Sequence, residues 1–170
     1  MITRFSGKEF EPPMDLKLEL IMLPVSDVDR AKDFYAAAGF RVDLDKAVSQ
    51  TWRAVHLTPP GSETSIMFGT GITAAVPGSV QGLYLIVSDI ERAHAELVGR
   101  GVAVSEIFHD GGGVFYHGHE DGEVTHHAGG QERKPAPHPD RADYGSYATF
   151  SDPDGNGWVL QEVKERAPGR

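Results

Sequence analysis

The sequence predicts an α+β protein built from two βαβββ modules, the second of which carries a long insertion. Residues 25–31 (Val-Ser-Asp-Val-Asp-Arg-Ala) recur 62 positions later as residues 87–93 (Val-Ser-Asp-Ile-Glu-Arg-Ala). The turn segments 59–62 and 153–156 also match, at an offset of 94. A repeat at a fixed offset indicates one structural unit that is used twice. The difference of 32 residues between the two offsets therefore indicates an insertion in the second unit.

These landmarks divide the chain into an N-terminal arm, a single two-module domain and a short tail. The predicted boundaries are residues 1–16 for the arm, 17–165 for the domain, 17–70 for module 1, 80–165 for module 2, about 109–143 for the insertion and 166–170 for the tail. The insertion is rich in His, Gly and Pro. A loop of this length within a compact domain is usually a lid, a binding loop or disordered.

In module 1 the pattern predicts a strand, a helix and three further strands. Residues 17–25 are largely apolar, which is typical of a strand buried on both faces. Ser26 fits a helix N-cap, with Asp29 at the capping-box position. Apolar residues then recur at helical spacing, and Gly39 suits the left-handed conformation that ends many helices. The three strands are predicted at residues 40–44, 51–58 and 64–68.

Module 2 repeats this order. Ser88 and Glu91 form the second predicted capping box, and the Gly-Arg-Gly sequence at residues 99–101 ends the helix. The Asp-Pro-Asp-Gly-Asn sequence at residues 152–156 is typical of a hairpin turn, because Pro and Gly suit its second and positive-φ positions. The strands of this module are predicted at residues 80–87, 102–108, 144–151 and 158–163.

Composition narrows the classes of function. The net charge of −9 argues against a nucleic-acid partner, which requires a basic surface. The chain has no cysteine, which excludes disulfides and thiol catalysis. It contains no apolar run near the ~20 residues that span a bilayer, and residues 1–13 are mixed and charged without the apolar core of a signal sequence. We therefore expect a cytoplasmic protein with a small-molecule ligand and neither a nucleic-acid nor a membrane partner.

The order of the motifs resembles a known superfamily. The segments 25–27 (Val-Ser-Asp), 34–35 (Phe-Tyr) and 39–40 (Gly-Phe) of the first module, together with the 152–156 hairpin, resemble the vicinal oxygen chelate superfamily of glyoxalases, bleomycin resistance proteins and extradiol dioxygenases. The resemblance covers about residues 17–165. It implies that each four-stranded sheet forms half a barrel, and that the two halves enclose a substrate cleft.

The resemblance also locates the metal ligands of the metal-dependent members. Their four matched positions, which typically hold His, Gln or Glu, fall here on Leu20, Ser65, Gly82 and Val159. Only Ser65 offers a ligand atom, and that one is weak. Glu19 and Glu162 lie near two of these positions but point to the opposite strand faces. We therefore expect no family metal site and no cofactor.

Strand alternation extends this register to a predicted cleft lining. An apolar wall with a few orienting polar groups is typical of a small-molecule pocket. Met22 and Ile86 also suit a closed core, and Met67 and Tyr84 suit either kind of wall. The predicted ligand-binding residues are Leu20, Met22, Trp52, Ser65, Met67, Gly82, Tyr84, Val159 and Gln161.

His56 is the candidate general base of module 1, since the imidazole of histidine titrates near neutral pH. It is predicted to share the cleft face with Trp52, and the offset of 94 makes Phe150 its counterpart. A purely structural role for a strand histidine remains the alternative. Arg53 and Tyr147 are also matched, and are predicted to point to the other face.

The insertion holds six of the eight histidines, and two of them, His117 and His119, would share a face of an extended segment. Histidine-rich tracts bind metals in some proteins. The spacing of these histidines matches no established metal site. A solvated acidic loop, or a lid over the cleft, explains the histidine-rich composition equally well.

Three functions remain open. The first is a metal-independent protein that binds a small organic molecule in the cleft, with or without lyase, isomerase or related chemistry. The second is a non-catalytic protein that sequesters an antibiotic or similar compound. The third is a metal-dependent lyase or dioxygenase that uses the insertion histidines. We expect a homodimer, although the sequence leaves open whether the modules close within one chain or between two.

Overall fold

A computed structural model describes residues 15–110, 118–120, 123–125 and 133–166. Module 1 forms a four-stranded sheet with the order β1-β4-β3-β2, in which β1 and β4 are parallel and the other pairs antiparallel. Its single helix follows β1. The elements are β1 (Leu20–Met22), α1 (Val28–Ala37), β2 (Arg41–Ser49), β3 (Trp52–Thr58) and β4 (Ser65–Thr70).

Module 2 repeats this topology with one strand added. Its sheet has the order β5-β11-β10-β6-β9, and a separate two-stranded sheet pairs β7 with β8. The elements are β5 (Leu83–Val87), α2 (Ile90–Gly99), β6 (Phe108–Asp110), β7 (Gly118–Glu120), β8 (Glu123–Thr125), β9 (Arg133–Pro135), β10 (Ser146–Ser151) and β11 (Gly157–Glu162). The predicted α+β fold of two modules is confirmed.

Both helices begin one residue later than predicted. The N-caps are Asp27 and Asp89, whose carboxylates accept hydrogen bonds from the backbone N–H of Arg30 and Arg92 at 3.0 and 3.1 Å. The assignment of Ser26 and Ser88 as caps is therefore wrong. Aspartate caps a helix as well as serine does, so a Ser-Asp pair leaves the choice open in the sequence.

The helix ends follow the prediction. Gly39 and Gly101 stand just beyond α1 and α2 with φ of 101° and 86°. This left-handed region is open to glycine without steric cost, which explains the stop.

Several strand bounds differ from the predicted ones. β2 is longer than residues 40–44, and β1 is shorter than residues 17–25. The strand predicted at residues 102–108 is reduced to an isolated bridge between Val104 and Phe150, followed by β6. Among the described residues, no helix has the length and apolar character needed to cross a membrane.

The helix sides of the two sheets share one hydrophobic core. Buried residues of α1 and of both sheets belong to a single cluster, in which Tyr35 packs against Phe68 of its own module and Trp158 of the other. Phe34 reaches Phe150 in the same way. The face of each sheet that lies opposite the helices, here called the open face, therefore points away from this core.

The 152–156 hairpin joins the modules. One oxygen of Asp152 accepts the backbone N–H groups of residues 154, 155 and 156, and the other accepts the Tyr35 hydroxyl at 2.9 Å. The side chain of Asn156 donates to the Pro24 carbonyl at 3.0 Å. Ser26 and Arg30 bond to Asp154, so the serine that was predicted to cap α1 instead contacts the other module.

Candidate functional site

The open face of module 1 is an exposed, largely apolar surface. Register places Leu20 opposite Ser65 and Met22 opposite Met67. Because side chains alternate along a strand, these four point to the same side, while Ile66 packs in the core. Three large apolar side chains of this face are unusually exposed: Met22 by 48%, Leu44 by 43% and Trp52 by 40%.

One end of this face is polar. Thr58 donates to Asp43, and its hydroxyl lies 2.8 Å from that of Ser65. Arg41 also donates to Asp43, and hydrogen bonds from Arg41 and Thr58 lower the pKa of that carboxyl. The face thus presents an anionic, hydroxyl-lined end and, toward Trp52, an apolar end.

His56 lies between these ends. Its backbone is opposite Leu44 on one side and Met67 on the other, and its side chain is half-buried. Among the described residues its imidazole makes no hydrogen bond, and it lies near enough to Asp43 to contribute to the lowered pKa of that carboxyl. The ring is therefore open to a hydrogen bond with a bound molecule.

The side chains on the open face of module 2 are more deeply buried than those of module 1. Phe108, Tyr147 and Val159 form a small cluster separate from the shared core, with Tyr84 packed against it. Phe108 stacks on Tyr147 at a ring distance of 5.7 Å. Burial raises the pKa of Tyr84 to about 12, with a smaller contribution from the neighbouring Tyr147. Gln161 is buried on the same face.

The observed register changes which positions of the modules match. Met22 lies opposite Met67, and Tyr84, its counterpart 62 residues later, lies opposite Val159. Val159 therefore matches Met67, and the predicted match with Ser65 is wrong by two residues. Because a shift of two residues keeps a side chain on the same face, Val159 still lies on the open face.

On β10 the predicted match with β3 is wrong by one residue, and this error places each side chain on the wrong face of the sheet. His56 and Thr149 lie opposite matching residues of β4 and β11, so Thr149 is the counterpart of His56. The predicted counterpart, Phe150, packs in the shared core instead. Tyr147, which was predicted to point to the helix side, lies on the open face.

Arg53 and Glu162 point to the helix side, as their strand positions predict. Arg53 bonds to Asp29 and Asp45, and these contacts lower the pKa of both carboxyls. Glu162 is fully buried against Arg141. Neither residue reaches the candidate site, so Glu162 does not replace a missing metal ligand.

The four positions that the resemblance assigns to the family's metal ligands lack a suitable set of ligands. Leu20 lies opposite Ser65, whereas Val159 lies opposite Tyr84 and so two residues beyond Gly82. Two aliphatic side chains, one hydroxyl already bonded to Thr58 and one glycine do not fit a divalent ion. No group of three or more His, Asp or Glu side chains in the described segments is arranged to hold a metal.

The structure brings the predicted site residues together in two groups and not in one. Leu20, Met22, Trp52, His56, Ser65 and Met67 lie on the open face of module 1. Tyr84, Val159 and Gln161 lie on that of module 2. Gly82 stands just before β5, exposed and with φ of 74°. His117 lies outside the described residues, and only the backbone of His119 is described.

The sequence reasoning missed Asp43, Leu44, Phe108 and Thr149. A bulge between Val42 and Leu44 determines which residues of β2 point to the open face. On β10 this is determined by a register that differs by one residue from the predicted one. The apolar-polar alternation of residues 42–45 could have indicated Leu44.

Comparison with known proteins agrees with this architecture. The chain belongs to the Glyoxalase/Bleomycin resistance protein/Dioxygenase superfamily, whose family model matches residues 17–160. It matches no curated protein at a significant level.

The similar solved structures include three bacterial proteins. TnmS3, an antibiotic binding protein from Streptomyces sp. CB03234, is 30% identical with a TM-score of 0.60, covering 89% of this chain and 99% of that one. A glyoxalase/bleomycin resistance protein from the same source is 31% identical with a TM-score of 0.57, covering 86% and 100%. A superfamily member from Sphaerobacter thermophilus DSM 20745 is 28% identical with a TM-score of 0.58, covering 88% and 99%.

Proposed function

We propose that this protein binds a small organic molecule of the antibiotic type, without a metal ion, on the open face of module 1. The observation that carries the proposal is the exposure of Met22, Leu44 and Trp52 around His56. Monomeric proteins rarely leave such apolar surface uncovered unless it binds something. The likeness to TnmS3, an antibiotic binding protein, supports a ligand of this class.

The face suits a compound with an aromatic body and a hydrogen-bonding end. Trp52 offers an aromatic surface at the apolar end, and the sulfur of Met67 adapts to irregular ligand shapes. At the other end, the Ser65 hydroxyl and the carboxylate of Asp43, which already accepts from Arg41 and Thr58, have lone pairs left for a donor group of the ligand. A few orienting polar groups in an apolar wall are typical of ligand pockets.

We propose that a second copy of the chain completes the cleft. The helix sides of both sheets pack into one core, so the two open faces of a single chain point away from each other. Met22 on β1 and Ile86 on β5 are 48% and 40% exposed on sheet edges. In a homodimer, the open face of module 1 would meet that of module 2 from the partner.

Catalysis is the second candidate function, and one observation favours it. His56 is half-buried with no hydrogen-bond partner among the described residues, which leaves its imidazole free to accept a proton from a bound substrate. A binding protein needs no such group. The fate of the ligand separates the two functions.

Tryptophan fluorescence tests the proposal, because only Trp52 of the two tryptophans is exposed. Bleomycin and a set of polycyclic aromatic antibiotics would be titrated into wild type, Trp52→Phe and the control Val76→Ala, whose valine lies in the connection between β4 and β5, residues 71–82. We expect saturable quenching in wild type and the control, its loss in Trp52→Phe, and recovery of the compound unchanged by mass spectrometry. Binding to no compound contradicts the proposal, and turnover that is lost in His56→Ala favours catalysis.

A further inference from the structure

The segment of residues 133–145, here called the strap, contains an unusual backbone. Ala136, Arg141 and Tyr144 have φ of 78°, 49° and 64°, and they are the non-glycine residues with positive φ among the described part of the chain. Each such residue costs about 1 kcal/mol or more, and persists only where the surroundings hold it. Three of them in one short segment raise the question of what holds the strap and what it holds in turn.

Arg141 fastens the strap to the body of module 2. Its guanidinium donates to the buried carboxylate of Glu162, with 2.9 Å from Nε to Oε2, and to Glu91 at 2.7 Å. Glu162 also accepts the backbone N–H of Ile90 at the start of α2. One arginine thus connects the strap to both β11 and α2. These contacts lower the pKa of Glu162 and keep the pair charged.

The strap places one backbone carbonyl against the open face of module 2. The N–H of Tyr144 donates to the Glu162 carbonyl at 2.9 Å, directly beside the ion pair. The carbonyl of Tyr144 accepts the Tyr147 hydroxyl, and it lies 3.4 Å from Nε2 of Gln161. Gln161 lies 3.5 Å from the Tyr147 hydroxyl as well. The position of Tyr144 therefore sets the orientation of both polar side chains.

We propose that Arg141 is a positioning residue for the ligand site, acting through Tyr144 on Tyr147 and Gln161. The inference rests on the proposed function, since these two side chains matter to a ligand only if the module 2 face closes the cleft. It assigns specificity to a residue that lies outside the cleft. Tyr147 is buried and Gln161 keeps 9% of its surface exposed, so a ligand that contacts Gln161 finds its amide already oriented against Tyr144 and Tyr147. This removes the entropy cost of ordering the amide on binding.

Lysine keeps the positive charge but cannot reproduce the planar, multiple hydrogen bonding of a guanidinium, so Arg141→Lys should have an intermediate effect. Arg141→Gln alone would leave Glu162 buried and unpaired, a strongly destabilising change. The double variant Arg141→Gln/Glu162→Gln removes both charges and keeps the fold testable. Arg100→Gln is the matched control, because Arg100 forms a two-bond pair with Glu96 at the far end of α2.

The side-chain amide signal of Gln161, measured by nuclear magnetic resonance, reports the position of this amide and does not change with overall stability alone. The chain has five side-chain amides, from Asn156 and four glutamines, so the Gln161 signal is identified by its loss in Gln161→Glu. We expect this signal to shift toward the free-amide position in the double variant, less so in Arg141→Lys, and not in Arg100→Gln. Hydrogen exchange of the strap amides is expected to rise in the same order.

Affinity for the antibiotic identified by quenching is expected to fall about tenfold in the double variant and to stay unchanged in Arg100→Gln. A loosened strap with an unmoved Gln161 signal overturns the inference, and so does a shifted signal with unchanged affinity. If wild type binds no antibiotic while the signal shifts, the proposed function fails and the control of Gln161 by Arg141 stands.

Discussion

The hydroxyl of Tyr35 donates a 2.9 Å hydrogen bond to Asp152, across the boundary between the two modules. The same hydroxyl accepts the indole N–H of Trp158 at 3.1 Å. Burial and the neighbouring Asp152 raise the pKa of Tyr35, so it stays a neutral donor. Two motifs of the family, the Phe-Tyr pair of the first helix and the Asp-Pro-Asp-Gly-Asn turn, are thus partners in module docking. They turn the open faces away from the core without taking part in the site.

Removing this hydroxyl should destabilise the protein without changing its fold. In Tyr35→Phe, the carboxylate of Asp152 and the N–H of Trp158 each lose a buried partner, and we expect a loss of about 1–3 kcal/mol in the free energy of unfolding. Urea unfolding at neutral pH measures it. The control Ser49→Ala removes an exposed hydroxyl that bonds, within the described part of the chain, to Thr51 alone, and should change the value by less than about 0.5 kcal/mol. Equal effects in both variants would contradict the docking role.

Charges on the exposed edges should prevent self-association. We expect Met22→Glu and Ile86→Glu to convert the proposed dimer to monomer, because each places a carboxylate where the partner's apolar face would lie. Val76→Glu is the control, since Val76 is 72% exposed in the connection between the modules. Sedimentation velocity distinguishes the species. A wild-type monomer, or dimers in all three variants, would rule out the composite cleft.

The fold was predictable because its signals are local and occur twice. The Val-Ser-Asp repeat, Gly39 and the 152–156 turn each encode a helix start, a helix end or a hairpin through their own chemistry. Two copies in the same order leave little choice of topology. Even the error at Ser26 and Ser88 moved each helix start by only one residue.

The candidate site was less predictable because it depends on which alternate residues of each strand point to the open face. The turn offset of 94 placed Val159 correctly on the open face, since its error was even, but placed Phe150 there and Tyr147 on the wrong side. A bulge on β2 sets the face of Leu44, which the sequence-based prediction did not assign. Register is set by pairing with distant strands, which a single sequence does not show.

Metal removal should leave the protein unchanged. With Leu20, Ser65, Gly82 and Val159 at the family ligand positions, we expect substoichiometric divalent metal in protein purified without chelator, and the same melting temperature before and after treatment with EDTA. A ligand that binds only the folded state would raise that temperature. Full occupancy by elemental analysis would contradict the proposal, and His117→Ala/His119→Ala would then show whether the insertion binds the metal.

The ion pair of Arg141 and Glu162 should make stability depend on pH in a defined window. Arg141 lowers the pKa of Glu162 in the folded state below its ordinary value. The stabilisation that the ion pair contributes is therefore complete above the unfolded-state pKa of about 4.3, and declines as the pH falls through the folded-state pKa.

We expect Glu162→Gln to lose about 1–3 kcal/mol of unfolding free energy at pH 7. The difference in unfolding free energy between this variant and wild type should narrow as the pH is lowered from about 5 to 3. Urea unfolding across this range measures the gap. The control Glu63→Gln changes an exposed glutamate that forms no ion pair among the described residues, and should follow the wild-type curve. A gap that stays constant down to pH 3 would show that the Glu162 carboxylate does not stabilise the fold through its charge.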